Sequence, residues 1–178
     1  MLMGGSGAKV NRMKKVILAA LATPVVLASC GTALGGSDGS EKLLSVTTSH
    51  TSAGAPVLCN AVGGVDSGTQ IVIGLAAGGT IQNVRVNLKD EAGKIVSTTD
   101  VAGNYLLKGD KDGEYKLPLT RRSTGALTVN SAVNTVAAVT VGGAPIQTLK
   151  TDIVINRTRS AVPLASTVAL PVYATCTL

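Results

Sequence analysis

The sequence is poor in aromatic residues: it has no Phe, no Trp and three Tyr among 178 residues. Proteins stack flat ring faces against sugars and against the bases of single-stranded nucleic acid. The shortage therefore argues against both kinds of binding platform. It also means that any hydrophobic core must consist of Val, Leu, Ile and Ala.

Histidine is almost absent as well, since His50 is the single one, in a stretch rich in Ser and Thr. A Ser-His-Asp triad would have to use His50, which stands in no nucleophile elbow or comparable motif. A solvated turn residue is the simpler interpretation. One His and three Cys also offer few ligands for a metal. The sequence thus predicts no enzyme, no cofactor and no metal site.

Two short polar motifs have alternative interpretations. The run Asp110–Glu114 is similar to the start of a calcium loop but lacks the distant bidentate Glu, so an Asp-Gly turn is the simpler interpretation. The pair Arg121-Arg122 would suit a phosphate or the carboxylate of a partner. The alternative for this pair is a solvated charge pair at a strand end.

A long apolar run is also missing, but a short one lies near the N-terminus. Lys14 and Lys15 precede the apolar stretch 16–27, which is shorter than the roughly 20 residues of a membrane-spanning helix and contains Pro24. A positive segment followed by a short apolar run is typical of a secretory signal. We expect the signal peptide to start at Met13. Residues 1–12 are then explained either by a translation start placed too far upstream or by a short extension of the positive segment of the signal.

The signal ends in Leu27-Ala28-Ser29-Cys30, which resembles the lipobox of bacterial lipoproteins. The resemblance implies cleavage before Cys30, diacylglycerol on the Cys30 sulfur and attachment to a membrane through that lipid. A plain cleaved signal with an incidental cysteine is the alternative. We expect residues 1–29 to be the signal peptide, 30–41 a lipidated flexible tether rich in Gly and Ser, and 42–178 a single domain. No Asp follows Cys30, which favours the outer membrane or the cell surface.

Processing would change the charge of the protein. Four of the 16 Lys and Arg lie within residues 1–29, so 12 would remain against 10 Asp and Glu, a net charge of about +2 instead of +6. A balance this close to neutral implies no polybasic surface and no nucleic-acid partner.

Two cysteines remain after Cys30 is assigned to the lipid. Cys59 and Cys176 are expected to form a disulfide, because leftover cysteines outside the cytoplasm usually pair. Two buried free thiols are the alternative.

The pattern of the remaining chain favours strands. In the segment 81–89, Val84, Val86 and Leu88 alternate with polar residues, which indicates one buried and one wet face. About eight to ten such segments, separated by Gly-rich turns, predict an all-β sandwich. The segment 124–141 fits both strand and helix spacing; its Val and Thr content favours two strands bent near 130–134. Pro118 suggests a sheet edge or a strand end.

Two further segments near the C-terminus are predicted to be strands. In 149–156, Leu149, Ile153 and Ile155 are expected to point inward, and the last strand is expected over 167–177.

The middle of the domain carries a spaced motif: Asp100, Gly103 and Tyr105, followed by Gly113 and Tyr115. This pattern resembles the carboxypeptidase-regulatory-like, transthyretin-like β-sandwich modules of bacterial surface proteins. The resemblance implies an Ig-like or transthyretin-like Greek-key sandwich that serves as a spacer or interaction module. The flanking segments, including both paired cysteines, depart from the family pattern.

Together these features predict a lipid-anchored structural or interaction protein of the cell envelope. It would be an accessory subunit or spacer that docks another envelope protein through strand edges or loops. The alternative is a binding module for a cell-wall glycan or a small apolar ligand.

Overall fold

A computed structural model describes residues 40–178, so the signal peptide, Cys30 and most of the tether lie outside the described residues. The described part contains no α-helix and one 3₁₀-helix, Gly103–Tyr105. The all-β prediction is therefore confirmed. The strands are β1 Lys42–Thr48, β2 His50–Ser52, β3 Ala55–Val62, β4 Thr69–Ala76, β5 Asn83–Lys89, β6 Ile95–Ala102, β7 Leu107–Lys108, β8 Glu114–Arg121, β9 Leu127–Val129, β10 Ala137–Ala138, β11 Thr140–Val141, β12 Gln147–Asn156, β13 Ala161–Ala165 and β14 Leu170–Thr177.

These strands form two sheets. The first has the order β1-β4-β8. The edge of β8 that points away from β4 pairs with β7 near its start and with β9 near its end. The second has the order β10-β2-β3-β14-β12-β5-β6, with β11 beside β14 and β13 beside β12. Most pairs are antiparallel, whereas β3 runs parallel to β14 and β2 runs parallel to β10. Two sheets of this kind agree with the predicted sandwich, while the Greek-key assignment stays a prediction.

Alternation along the strands builds the core. On β5 the predicted residues Val84, Val86 and Leu88 are fully buried. The largest buried side chains are all aliphatic apart from one glutamine, and they come from both sheets: Leu58, Ile71, Ile73, Leu75, Leu88, Leu117, Leu119, Leu149, Ile153, Ile155, Leu170 and Gln70. Burial of aliphatic area thus holds the sheets together without any large ring.

Pro118 lies inside β8, opposite Val72 of β4, so the predicted edge or strand end is wrong. On the other side of β8 the backbone N of Asn130 donates to the Pro118 carbonyl (3.0 Å). The N and the O of one strand residue point to the same side. The missing N–H of Pro118 therefore faces the gap between β7 and β9, where no ladder bond is lost.

The C-terminal region contains one strand more than the sequence predicts. A single strand was expected over 167–177, but β13 precedes it and pairs antiparallel with β12. Pro163 of β13 lies opposite Val154. In the ambiguous segment 124–141 the strand interpretation is confirmed, since β9, β10 and β11 flank an irregular stretch.

Candidate functional site

The two remaining cysteines form the predicted disulfide. Cys59 of β3 and Cys176 of β14 are bonded with their Cα atoms 5.9 Å apart, and both are buried. Val57 and Val139 pack against them in a small cluster separate from the main core. The disulfide therefore fastens an early strand of the second sheet to its last one.

Strand register defines two ends of the sandwich. At one end, Lys42 and Glu114 both lie opposite Ala76, and the tether joins there; we call this the tether end. At the other end, Thr69 lies opposite Arg121; we call this the far end. Side-chain bonds from these last two residues reach Cys59 and Asn60, so the disulfide is also at the far end.

The tether end is fixed by an ion pair. The fully buried carboxylate of Glu41 contacts the guanidinium of Arg157, which follows β12. The backbone N of Gly78 donates to Ser40 Oγ (3.3 Å). The first two described residues are thus bound to the domain, although Glu41 was predicted to belong to the flexible tether.

His50 is at the far end, where the structure corrects the prediction of a solvated turn residue. It lies in β2 and is partly buried, with its Nδ1 atom 3.2 Å from Thr69 Oγ1. The Thr69 hydroxyl accepts from Cys59 N (2.8 Å) and donates to Cys59 O (3.1 Å). Because the Thr69 proton is used there, a hydrogen bond between His50 and Thr69 requires the hydrogen to be on His50 Nδ1. Burial lowers the pKa of His50, which favours this neutral ring.

This arrangement differs from a catalytic triad. Ser49 Oγ lies 3.4 Å from His50 Nδ1, but it accepts a hydrogen bond from Gln70 N (3.0 Å). Among residues 40–178 no carboxylate bonds to the His50 ring. The ring is oriented by hydroxyl groups, so nothing in this part of the chain would stabilise an imidazolium during proton transfer.

Arg121 is the second inward-facing polar residue of the far end. It shares its face of β8 with Leu117 and Leu119, and only 7% of its surface is exposed. Its Nη1 donates to Asn60 Oδ1 (2.9 Å), whereas its buried Nε has no hydrogen-bond partner. Burial lowers the pKa of Arg121.

The interpretation of Arg121 and Arg122 as a solvated charge pair is therefore wrong for Arg121, which is buried. It is right for Arg122, which is exposed. Sequence reasoning also missed Asn60 and Thr69 at this end. A signal for Arg121 was present, because it continues the parity of Leu117 and Leu119.

The motif residues of the middle segment are not all in turns. Asp100 lies in β6 directly opposite Arg85, whose Nε donates to Asp100 Oδ1 (2.9 Å). This hydrogen bond and the Asp100 charge raise the pKa of Arg85. Gly103 is needed for space: a Cβ atom there would lie 2.0 Å from the carbonyl oxygen of Ile81.

The remaining motif residues have separate roles. Gly113 adopts a positive φ of 78° in the turn before β8, which favours glycine. Tyr115 packs against the main core, whereas Tyr105 is exposed. In the run that is similar to a calcium loop, Asp110 accepts from Lys116 Nζ (3.2 Å). Within residues 40–178, no three His, Cys, Asp or Glu side chains are grouped as metal ligands.

A cleft lies on the outer face of the first sheet. It has a volume of about 410 Å³ and is open on one side. Apolar side chains from β1, β4, β8 and the segment after β9 line it together with polar groups: Leu44, Val72, Tyr115, Val133, Ser45, Thr47, Lys116, Asp110 and Glu114. The segment carrying Val133 is held there by Gln70, whose Nε2 donates to Ala132 O (3.0 Å) and whose Oε1 accepts from Asn134 N (2.7 Å).

The free edge of β6 is a second accessible feature. Among residues 40–178, this strand pairs only with β5. Gly103 N donates to Gln82 O, and this bond fixes the pairing of β6 with β5. In the regular register that follows, the backbone N–H and C=O groups of Val101, Thr99 and Ser97 point toward β5. The N–H and C=O groups of the alternate residues therefore point away from the sheet: Thr98, Asp100 and Ala102. No backbone bond to these groups from elsewhere in residues 40–178 is present.

None of the described residues forms a helix long and apolar enough to cross a membrane. Comparison of the chain with protein-family models, curated proteins and solved structures gives no match.

Proposed function

We propose that this chain is a lipid-anchored, non-enzymatic protein of the cell envelope whose sandwich docks a second envelope protein. The docking mode is strand addition, in which an extended segment of the partner pairs with the edge of β6. The observation that carries this proposal is the row of backbone groups on Thr98, Asp100 and Ala102, which point outward without partners among the described residues.

Other edges are less suited to strand addition. The edge strand β1 carries Lys42 and an irregular register between Leu43 and Ser45, and β13 contains Pro163. The strands β7, β9 and β10 have only two or three residues each. Lysine, proline, bulges and short length all protect sheet edges from pairing. After the irregular register at its start, β6 has none of these features.

The start of β6 also exposes apolar surface. Ile95 is 49% and Val96 is 38% exposed. A partner strand beside them would bury these side chains while its backbone bonded to the edge. Because Ser40 and Glu41 are bound to the domain, residues 31–39 would span at most about 32 Å when extended. A partner reached in this way would lie at the same membrane surface.

The docking test uses a photo-crosslinking amino acid at position 95 in intact cells, with the same probe at Arg159 as the control. Arg159 is exposed in the turn after β12, near the tether end. We expect position 95 to capture one envelope protein reproducibly, identified by mass spectrometry, and position 159 not to capture it.

A paired substitution then tests the edge itself. Thr98→Pro removes an outward N–H without removing a bond to β5, and Thr98→Ala removes the same side chain but keeps the N–H. Loss of the crosslink in Thr98→Pro but not in Thr98→Ala is the expected result. Equal crosslinking in both variants, or equal capture from position 159, would refute strand addition at β6.

The anchor has its own test. The intact mass of membrane-extracted protein should equal that of residues 30–178 plus attached lipid, and Cys30→Ser should release the protein from the membrane fraction. Two or three acyl chains give stable attachment, since each buried CH₂ contributes about 0.8 kcal/mol. An unmodified mass that starts at another residue would contradict the anchor.

The cleft on the first sheet supports a second candidate, a binding module for a small ligand. Its volume of about 410 Å³ lies within the usual range for ligand pockets. The probes are a muropeptide and 1-octanol, each titrated into isotope-labelled protein and followed by NMR. Saturable shifts around Val72 that disappear in Val133→Asp would support binding.

The control for this titration is Val136→Asp. Val136 is 61% exposed in the same segment but does not line the cleft. Binding should survive in this variant. An absence of saturable shifts with both probes in the wild-type protein would exclude these ligand types.

A further inference from the structure

Arg121 carries a buried charge that the described residues do not neutralise. Four ion pairs are present among residues 40–178, and they use Arg85, Lys89, Lys116 and Arg157. Arg121, at 7% exposure, has only a neutral amide oxygen, Asn60 Oδ1, as its partner. Burying a cation without an anion is costly, so a negative group at this position would be stabilising.

The guanidinium is still accessible from one direction. Its Nε is buried and unpartnered. Its Nη2 makes no hydrogen bond within the described residues and is not among the enclosed unpartnered atoms. The planar fork of an arginine pairs best with an oxyanion that accepts two parallel N–H bonds. An incoming oxyanion would meet Nη2 first and gain Nε after a small movement.

The segments beside Arg121 fit such a ligand. The turn 122–126 begins next to it and contains the exposed residues Arg122 and Thr124, of which Thr124 accepts from Ala126 N through its Oγ1 (3.5 Å). Asp66 ties the neighbouring loop to this turn, since its Oδ2 accepts from Ser123 Oγ (2.5 Å). Asp66 makes none of the four ion pairs among residues 40–178, so Arg121 has no carboxylate partner there.

We propose that Arg121 is the centre of an oxyanion-binding site at the far end of the sandwich, with Asn60 holding the guanidinium in place. The ligand class is a phosphate or a carboxylate group. Arg122 adds positive charge at the rim. The site does not depend on docking at β6, which is formed by other residues.

The test follows the Arg121 side-chain Nε–H resonance of full-length protein by NMR, assigned through its bonds to the backbone. Sodium phosphate and sodium acetate are titrated separately, with NaCl adjusted to keep the ionic strength constant. A saturable shift of the Arg121 signal with either anion supports the site. A response to phosphate alone identifies a phosphate-type ligand, and a response to acetate as well identifies a carboxylate-type ligand.

Two variants locate the effect. Arg121→Gln lacks the Arg121 signal, so its binding is followed, like that of wild type, through the backbone amide signals of residues 122–126. It is expected to weaken binding by about tenfold or more, because hydrogen bonds to a charged group are lost. The matched control Arg122→Gln should keep the saturable shift at Arg121 with a small loss of affinity. If Arg121→Gln fails to fold, the wild-type and Arg122→Gln titrations decide the question by themselves.

The proposal would be overturned by a linear, non-saturating change of the Arg121 signal with both anions. Equal binding by Arg121→Gln and wild type would overturn it as well. Loss of binding in Arg122→Gln with no shift at Arg121 would assign the anion to the exposed residue instead.

Discussion

At the residue scale, His50 and Arg121 of the far end both lie at least partly inside the sandwich, and burial lowers the pKa of each. The consequences differ, because the pKa of histidine is near neutrality and that of arginine is far above it. His50 is neutral at pH 7 and completes a hydroxyl network through Thr69. Arg121 stays charged and has only Asn60 as its partner, which is why it can act as an anion site.

The lowered pKa of His50 predicts a pH dependence of stability. Its ordinary value is 6.5, and the folded protein binds the proton less readily than the unfolded chain. The His50 contribution is therefore fully present above pH 6.5 and is lost as the pH falls from 6.5 through the lowered folded pKa. The free energy of unfolding is measured with urea at pH 7.5 and at pH 5.5. It should fall less between these two pH values in His50→Gln than in wild type. Parallel losses in the two proteins would contradict a buried neutral His50.

At the element scale, the alternation of each strand decides which substitutions are costly. On β12, Leu149, Ile153 and Ile155 were predicted to point inward, and all three are fully buried. The same regularity explains the inward Arg121 on β8. The strand β13 was harder to predict because it is short and contains Pro163, although its burial alternates as well.

Neighbouring residues of β12 provide a test of this alternation. Ile153→Ala should lower the free energy of unfolding by about 2–5 kcal/mol, because it leaves a cavity in the core. Val154 faces the other side of the sheet and is only half-buried. Val154→Ala should cost less than about 1 kcal/mol. Chemical denaturation measures both values, and similar costs would show that the assignment of the two faces is wrong.

At the scale of the whole molecule, the two ends of the sandwich have different tasks. The tether end holds Glu41 against Arg157, and the far end holds the disulfide, His50 and Arg121. The disulfide joins β3 to β14 at the end of the domain opposite the tether.

Removing the disulfide tests its role. It joins residues 117 positions apart, so the Cys59→Ala, Cys176→Ala double variant should lose about 2–5 kcal/mol of unfolding free energy. Reduced wild-type protein serves as the comparison and should lose a similar amount. If the double variant and the reduced wild-type protein both remain as stable as the oxidised protein, the disulfide does not stabilise the fold.

The sequence by itself determined the all-β class, the inward faces of β5 and β12 and the Cys59–Cys176 pair. These follow from side-chain alternation, which is local, and from counting the cysteines left after Cys30. Only the tertiary structure decided that β14 pairs with β3, that Asn60 reaches Arg121 and that His50 contacts Thr69. The first of these contacts lies within the second sheet and the other two join the two sheets, but all connect residues that are distant in sequence. A period of two along one strand carries no information about which strand lies opposite.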